Sequence, residues 1–329
     1  MAFQILCLSG GGYMGLYTAC VLASLEEHYN RPLLDHFDLI AGTSVGGIIA
    51  LGLAHGTSAR EIRDAFLQRG ADIFTDQPPP QSWLCQTLGL RKNAFKAKYD
   101  PAALRKTIVD LVGEETKIGE LQHRVMIPTV NLTKGLPQVF KTSHHPTFIR
   151  DWRLKVVDVA LATSAAPTFF PLHRIGGEMF ADGGLYANAP DHLALHEAEH
   201  FLGQASDEIS VLSVGTTTSR FALSNAIGVN MGWIGWMDGQ RLPNVMIAAQ
   251  QENTNYMMRH RLGDRYLRID HTQSKEQERS LALDVASPTA KHDLAALAEA
   301  SVREHLGKAA LPVFFEHRAA GPRFFNGQD

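Results

Sequence analysis

Three short motifs in this chain carry residues that could do chemistry, and the first is built around a serine. Ser44 lies between two glycines in Gly42-Thr43-Ser44-Val45-Gly46, directly after the apolar run 37–41. At a tight turn from a strand into a helix, a serine flanked by glycines holds its hydroxyl exposed above the sheet, as in the nucleophile elbow of ester-cleaving enzymes. The motif therefore predicts that Ser44 is a nucleophile that forms a covalent acyl intermediate.

The second motif is the glycine loop Gly10-Gly11-Gly12-Tyr13-Met14-Gly15, which follows the apolar run 3–8. Consecutive amides at the start of a helix bind anions, and in an esterase they would stabilise the oxyanion of the tetrahedral intermediate. We therefore predict that the oxyanion hole is formed by Gly10, Gly11, Gly12 and Gly15. The string also fits G-x-G-x-x-G, the pattern of a dinucleotide site, but that site needs an acidic residue where this chain has 42–44.

The third motif is Asp182-Gly183-Gly184, which follows a predicted strand at 179–181. Open α/β sheets place their sites at the carboxyl ends of strands, so Asp182 is a candidate general base. An aspartate before two glycines is also common in simple turns. An ordinary aspartate has a pKa of about 3.9 and is a poor base at neutral pH, but burial against an apolar wall would raise that pKa.

Histidines after Asp182 leave two other mechanisms open. A serine triad would need one histidine, and the candidates are His192, His196, His200, His260 and His271. Residues 196–200 also match H-E-x-x-H, a pattern of zinc proteases. We favour a solvated or partly packed helix face for these residues, because the serine motif already accounts for the chemistry.

Composition narrows the class of protein. The chain has 329 residues, a net charge of −3, 20% charged residues and three cysteines, Cys7, Cys20 and Cys85. This balance gives no reason to expect binding of DNA or RNA, and the odd cysteine count indicates free thiols in a reducing cytoplasm. We see no signal peptide and no apolar run of about 18 residues, so we expect only peripheral contact with lipid.

Elements that position the motifs alternate between strands and helices. The predicted strands are 3–8, 37–42, 124–132, 138–142, 179–181, 209–214 and 265–269, with helices at 13–28, 45–55 and 156–164, after 57–58 and 100–101, through most of 221–262, and from about 291 and 307. This alternation predicts a mainly parallel sheet covered on both faces. Residues 76–99 break the periodicity and predict a surface excursion or lid. We expect a catalytic core at 1–220 and a helical C-terminal extension at 221–329, packed on the same domain.

In this order, the three motifs resemble those of the patatin-like phospholipases. The run 162–171 is also similar to the segment that precedes the aspartate in that family, and the resemblance covers about residues 4–190. It implies a three-layer α/β/α fold, hydrolysis of lipid acyl esters by a Ser44–Asp182 dyad without histidine, and no metal or other cofactor. The glycines that support the motifs are then Gly42, Gly46, Gly183 and Gly184. The chain departs from the family at Met14, where many members have arginine or lysine, and at Ser9, where some have aspartate.

The C-terminal segments 228–236 and 263–269 are similar to bacterial patatin-like effectors of cyclic-oligonucleotide anti-phage signalling (CBASS). The resemblance implies that a cyclic dinucleotide or trinucleotide from a partner nucleotidyltransferase activates a cytoplasmic phospholipase, which degrades the inner membrane as a homo-oligomer. Phosphate contacts are predicted for Arg259, Arg261, Arg265 and Arg268, although surface ion pairs would explain these residues equally well.

Two sets of apolar residues are candidates for membrane contact: Trp83, Leu84 and Leu88 in the excursion, and Met231, Trp233, Ile234, Trp236 and Met237 after it. A constitutive esterase without nucleotide control and a non-catalytic binding protein remain the alternatives.

Overall fold

A mixed β-sheet forms the middle layer of the protein. The structure is a computed structural model that describes residues 2–76, 96–217, 230–232, 235–236 and 241–327. The strands are β1 (Phe3–Leu8), β2 (Leu39–Gly42), β3 (Val125–Asn131), β4 (Leu136–Lys141), β5 (His173–Ile175), β6 (Glu178–Asp182), β7 (Ile209–Val214) and β8 (Tyr266–Ile269). Their order in the sheet is β5-β6-β3-β2-β1-β7-β8, and β4 also pairs with β3.

The strands from β3 to β8 through the centre of the sheet run parallel, as predicted. The parallel pairs are β2–β3, β1–β2, β1–β7 and β7–β8. Antiparallel pairing is confined to the β3 side of the sheet, where β4 and β6 both pair with β3 and β5 pairs with β6. The turn at 134–135 joins β3 to β4, as predicted, whereas strand β5 was not predicted.

Helices cover both faces of this sheet. They are α1 (Gly15–Tyr29), α2 (Val45–His55), α3 (Ala59–Ile73), α4 (Ala102–Val112), α5 (Val156–Thr163), α6 (Gly184–Ala187), α7 (Asp191–His196), α8 (Arg241–Leu262), α9 (Gln277–Ser280), α10 (Pro288–Leu306) and α11 (Ala310–Glu316). Ser58 begins α3 with a capping box, in which its hydroxyl accepts from the Glu61 amide and the Glu61 carboxylate accepts from the Ser58 amide.

Side chains of β1 alternate between two separate cores. Leu6 and Leu8 pack in the core on one face, together with the buried residues of α1 and α2. Ile5 and Cys7 pack on the other face with buried residues of α7 and α8. Because successive side chains of a strand point to opposite faces, this alternation builds the three-layer α/β/α arrangement and confirms that prediction.

The C-terminal part contributes to the sheet and to the packing around α1. Strand β8 pairs with β7, and α10 packs against α1. The boundary at 220–221 stays a prediction. The excursion residues Trp83, Leu84, Cys85 and Leu88 lie outside the described residues, as do Trp233, Ile234 and Met237. Among the helices that the structure describes, none has both the length and the apolar character needed to cross a membrane.

Candidate active site

Ser44 occupies the turn between β2 and α2, in a strained conformation with φ 55° and ψ −124°. A non-glycine residue in this region of backbone space is uncommon and persists only where its surroundings fix it. Two observations show how it is fixed. The Ser44 amide donates to Thr163 Oγ1 at 3.0 Å, and a side chain at Gly46 would place its Cβ 2.4 Å from the Leu8 carbonyl oxygen. The turn can therefore form only with glycine at position 46.

Asp182 lies at the end of β6, a strand that runs antiparallel to its neighbour β3. Pairing of β2 with β3 ends at Met126, and β6 then pairs antiparallel with β3, with Asp182 opposite Thr129. Since β4 occupies the other edge of β3, β6 lies directly beyond the end of β2, where Ser44 stands. Asp182 lies at the carboxyl end of its strand, as predicted, but the sequence did not predict that this strand runs antiparallel to β3. The two side chains nevertheless meet, because the Ser44 Oγ donates to Asp182 Oδ2 at 2.7 Å.

The carboxylate of Asp182 is buried and held on both oxygens. Its residue is 6% exposed, and its Oδ1 accepts from the Gly184 amide at 2.7 Å. Burial raises the pKa of Asp182 to about 6, while the hydrogen bonds from Ser44 and Gly184 oppose that rise. A carboxylate with this pKa is ionised at neutral pH and is a stronger base than an exposed aspartate.

The glycine loop supplies two free amides next to Ser44, rather than the four predicted donors. The Gly10 amide donates to the Asn188 carbonyl oxygen, and the Gly15 amide bonds within the turn 12–14. Gly11 and Gly12 line the cavity beside Ser44, and their amides have no hydrogen-bond acceptor within the described part of the chain. Gly12 has φ 57°, which a side chain rarely adopts. Among the described residues, the amides of Gly11 and Gly12 are therefore left unbonded at the cavity, while those of Gly10 and Gly15 are used within the fold.

The remaining motif glycines lie where the backbone approaches other atoms. A Cβ on Gly42 would lie 2.2 Å from the Gly46 carbonyl oxygen, and one on Gly183 would lie 2.2 Å from the Pro128 carbonyl oxygen. Gly184 contributes its amide to Asp182, as described above. The backbone approaches so closely at Gly42 and Gly183 that a side chain would not fit at either position.

An apolar cavity of about 310 Å³ opens beside the serine hydroxyl. Its walls come from α2, α3 and α4, from the segment 164–170 and from the start of α8. The apolar side chains that line it are Val45, Ile48, Phe66, Ile73, Phe74, Leu104, Ala166, Pro167, Phe169, Phe170, Leu185, Leu242, Pro243, Met246, Ile247 and Leu283. Such a chamber fits a hydrocarbon chain whose ester carbonyl lies at Ser44.

The histidines named for a triad or a zinc site lie elsewhere. Within the described residues, the cavity lining includes no histidine. Helix α7 begins after Pro190, as predicted, and ends at His196, where a π-helical turn follows at Glu197–Phe201. Glu197 is buried and paired with Lys141 and His144. In the part of the chain that the structure describes, no group of three or more His, Cys, Asp or Glu side chains could hold a metal ion.

The four arginines proposed as nucleotide contacts divide into two groups. Arg259 and Arg261 are exposed at the end of α8, and Arg261 pairs with Glu199 at 2.7 Å. Arg265 immediately precedes β8 and donates to the carbonyl oxygens of Ser206 and Ile209. The side chain of Arg268 is only 4% exposed, so it is held inside the fold.

Two residues of the site escaped the sequence argument. Thr163 accepts from the Ser44 amide and donates to the Pro128 carbonyl oxygen at 2.6 Å. Asn188 donates from Nδ2 to the Gly10 carbonyl oxygen at 3.1 Å and accepts the Gly10 amide on its own carbonyl oxygen. Thr163 lies within the run 162–171 and Asn188 shortly after Asp182, so both were near known motifs, but their partners are distant in sequence.

Comparison with known proteins agrees with this geometry. Residues 6–195 match the family model for the patatin-like phospholipases. A protein of Pseudomonas aeruginosa named cGAMP-activated phospholipase is 41% identical over 99% of this chain and 95% of its own length. Proteins with the same name from Vibrio cholerae and Escherichia coli are 40% and 39% identical, covering 95% and 89% of this chain and 94% and 86% of their own lengths.

Proposed function

Since this chain belongs to the patatin-like phospholipases, a family of lipid hydrolases, we propose that it cleaves acyl esters of membrane phospholipids with a Ser44–Asp182 dyad. The observation that carries the proposal is the 2.7 Å hydrogen bond from the Ser44 hydroxyl to a buried carboxylate, formed at the wall of an apolar cavity. No histidine takes part in the proposed reaction.

In the first half of the reaction, the Ser44 oxygen bonds to the ester carbonyl carbon and its proton passes to Asp182. The amides of Gly11 and Gly12 donate to the oxyanion that forms. When the tetrahedral intermediate collapses, the bond to the alcohol breaks, and Asp182 returns the proton to the leaving oxygen. Water then attacks the acyl-enzyme, Asp182 accepts its proton, and Ser44 regains a proton as the fatty acid leaves.

The mouth of the cavity supports a membrane substrate. Leu185, Leu242 and Met246 line the cavity and are still 36–39% exposed. Apolar side chains at the rim of an apolar chamber can enter the interface and give a lipid chain a continuous path to Ser44. We propose that the protein acts peripherally on the inner membrane from the cytoplasm.

We also propose that a cyclic dinucleotide activates this enzyme. Support comes from the three relatives named cGAMP-activated phospholipase, which align with nearly the whole chain, including the C-terminal part. On this proposal a partner nucleotidyltransferase makes the activator during phage infection, and the active form is a homo-oligomer. A constitutive esterase is the competing proposal, and it predicts full activity without nucleotide.

The test measures fatty-acid release from phospholipid vesicles, with and without cGAMP. We expect release by the wild-type protein to depend on cGAMP, and expect Ser44→Ala and Asp182→Asn to reduce it by about 10⁴-fold or more, because the two residues act as one unit. Alanine variants of His192, His196, His200, His260 and His271 serve as controls and should stay active. Activity in either dyad variant would refute the dyad, and equal release with and without cGAMP would refute nucleotide control.

A further inference from the structure

We propose that Arg268 is a positioning residue of the oxyanion loop. Its guanidinium, on strand β8 of the C-terminal part, holds Ser9 and the segment 215–217 against Gly10, and so fixes the direction of the Gly11 and Gly12 amides. The inference rests on the proposed hydrolase function. It assigns Arg268 a role in the catalytic half of the molecule in place of the phosphate contact suggested by the sequence.

Strand register brings Arg268 to the loop. Arg268 pairs with Ser213 of β7, and Ser213 pairs with Cys7 of β1. Ser9 lies two residues beyond Cys7, and because side chains alternate along a strand, Ser9 continues along the same face. The guanidinium therefore crosses β7, where Nη1 donates to Ser213 Oγ at 2.8 Å and to Ser9 Oγ at 3.2 Å. Ser9 immediately precedes Gly10.

Asp270 connects Arg268 to the segment 215–217 on the other side of the glycine loop. Arg268 Nη2 donates to Asp270 Oδ2 at 2.7 Å, and Asp270 Oδ1 accepts from the Thr217 amide at 3.1 Å. The neighbouring Thr216 Oγ1 donates to the Gly10 carbonyl oxygen at 3.1 Å. Thr216 also packs so closely on Gly11 that a Cβ there would lie 2.1 Å from its Oγ1. The ion pair thus supports the loop from two directions.

The burial of this ion pair indicates that it serves a specific purpose. The Arg268 and Asp270 side chains are 4% and 14% exposed. Removing two charges from water is costly, and a buried pair is often no more stable than apolar residues of equal volume. General stability is therefore a weak explanation. The segment 9–15 carries no basic residue, and Met14, at the fifth position of the glycine loop, instead accepts a hydrogen bond from Gln273 Nε2 on its sulfur.

The experiment compares Ser9→Ala, Arg268→Lys and Arg268→Gln with the wild-type protein, using a soluble short-chain ester with cGAMP present. Each variant is also titrated with a trifluoromethyl ketone, whose adduct with Ser44 carries an oxyanion. We expect Ser9→Ala to lower kcat about threefold to tenfold with little change in KM, and Arg268→Gln to lower kcat about 100-fold, the effect of losing one oxyanion donor. Inhibitor affinity should fall in parallel with kcat, and Arg268→Lys should lie between wild type and Arg268→Gln.

Arg303→Gln is the matched control, because Arg303 forms an exposed pair with Glu299 on α10. If Arg268→Gln does not fold, Ser9→Ala and Arg268→Lys decide the question. Wild-type kcat and wild-type inhibitor affinity in Ser9→Ala and in the folded Arg268 variants would overturn the proposal while leaving the dyad intact. Activity in Ser44→Ala would instead overturn the proposed function.

Discussion

At the scale of single residues, the protonation of Asp182 decides when the dyad can work. Burial favours the neutral carboxyl group and raises its pKa to about 6, and the Ser44 hydrogen bond partly offsets the rise. Only the ionised form accepts the serine proton. The same side chain therefore links catalysis, which needs the carboxylate, to folding, which favours the protonated form between the unfolded and folded pKa values.

We predict that kcat/KM on a soluble ester rises with pH and levels off above a midpoint of about 6. In Ser44→Ala the lost hydrogen bond should raise the pKa of Asp182 further, which carboxyl NMR can measure.

Because the folded pKa exceeds the unfolded value, Asp182 lowers the stability of the fold as pH rises from about 4 to 6, and Asp182→Asn should remove that contribution. A midpoint below pH 5 in the pH profile of kcat/KM would contradict the assignment of Asp182 as the general base.

The sequence was most informative at this scale. Ser44, Asp182 and the glycine loop could be predicted because their chemistry needs particular residue types within a few positions. Thr163 and Asn188 could not be predicted, since no local sequence pattern indicates the hydrogen-bond partner of a threonine or an asparagine. The assignment of all four loop glycines as donors failed because the Gly10 amide is taken by Asn188, which only the folded chain reveals.

At the scale of elements, α8 forms one wall of the acyl cavity. Leu242, Met246 and Ile247 lie within its first two turns and line the chamber. Further along, Gln250 accepts from the Asn188 amide at 3.2 Å and donates to the Leu185 carbonyl oxygen at 3.2 Å. The helix therefore contacts both the chamber and α6, the short helix that leads from Asp182 to Asn188.

We predict that Met246→Trp lowers hydrolysis of long-chain phospholipids about tenfold more than that of a short-chain ester, because the indole would fill the chamber that the acyl tail needs. Met257→Trp is the matched control: Met257 lies on the same helix with 43% exposure, similar to the 39% of Met246, and does not line the chamber. The test measures the rate of hydrolysis against acyl chain length for both variants. Equal profiles would show that the tail lies elsewhere.

Local patterns predicted several elements closely, including 45–55 and 209–214. Local patterns could not predict the direction of β6, because an apolar strand has the same residue pattern in parallel and antiparallel pairs. Only the long-range pairing of Asp182 with Thr129 sets that direction. The π-helical turn at Glu197–Phe201 escaped for a similar reason, since it accompanies the buried contacts of Glu197 with Lys141 and His144.

At the scale of the whole molecule, α8 runs from the acyl cavity to an end that carries two exposed arginines. The helix has 22 residues and spans about 33 Å. Its first turns line the acyl cavity, and its last turn carries Arg259 and Arg261, with Arg265 close behind. A ligand that binds preferentially to one position of this helix would shift the cavity wall and the contacts of Gln250 together.

We therefore predict that Arg259, Arg261 and Arg265 bind the phosphates of the activator. In Arg261→Ala and Arg265→Ala we expect the cGAMP concentration for half-maximal activity to rise about tenfold or more, the worth of one hydrogen bond to a charged group. Arg261 must exchange its Glu199 partner for a phosphate, so Glu199→Gln should lower that concentration. Turnover of a soluble ester at saturating cGAMP should stay near the wild-type value, and Arg303→Ala is the control for lost surface charge. If Arg261→Ala and Arg265→Ala respond to cGAMP like the control, the activator binds elsewhere and α8 transmits no signal from this end.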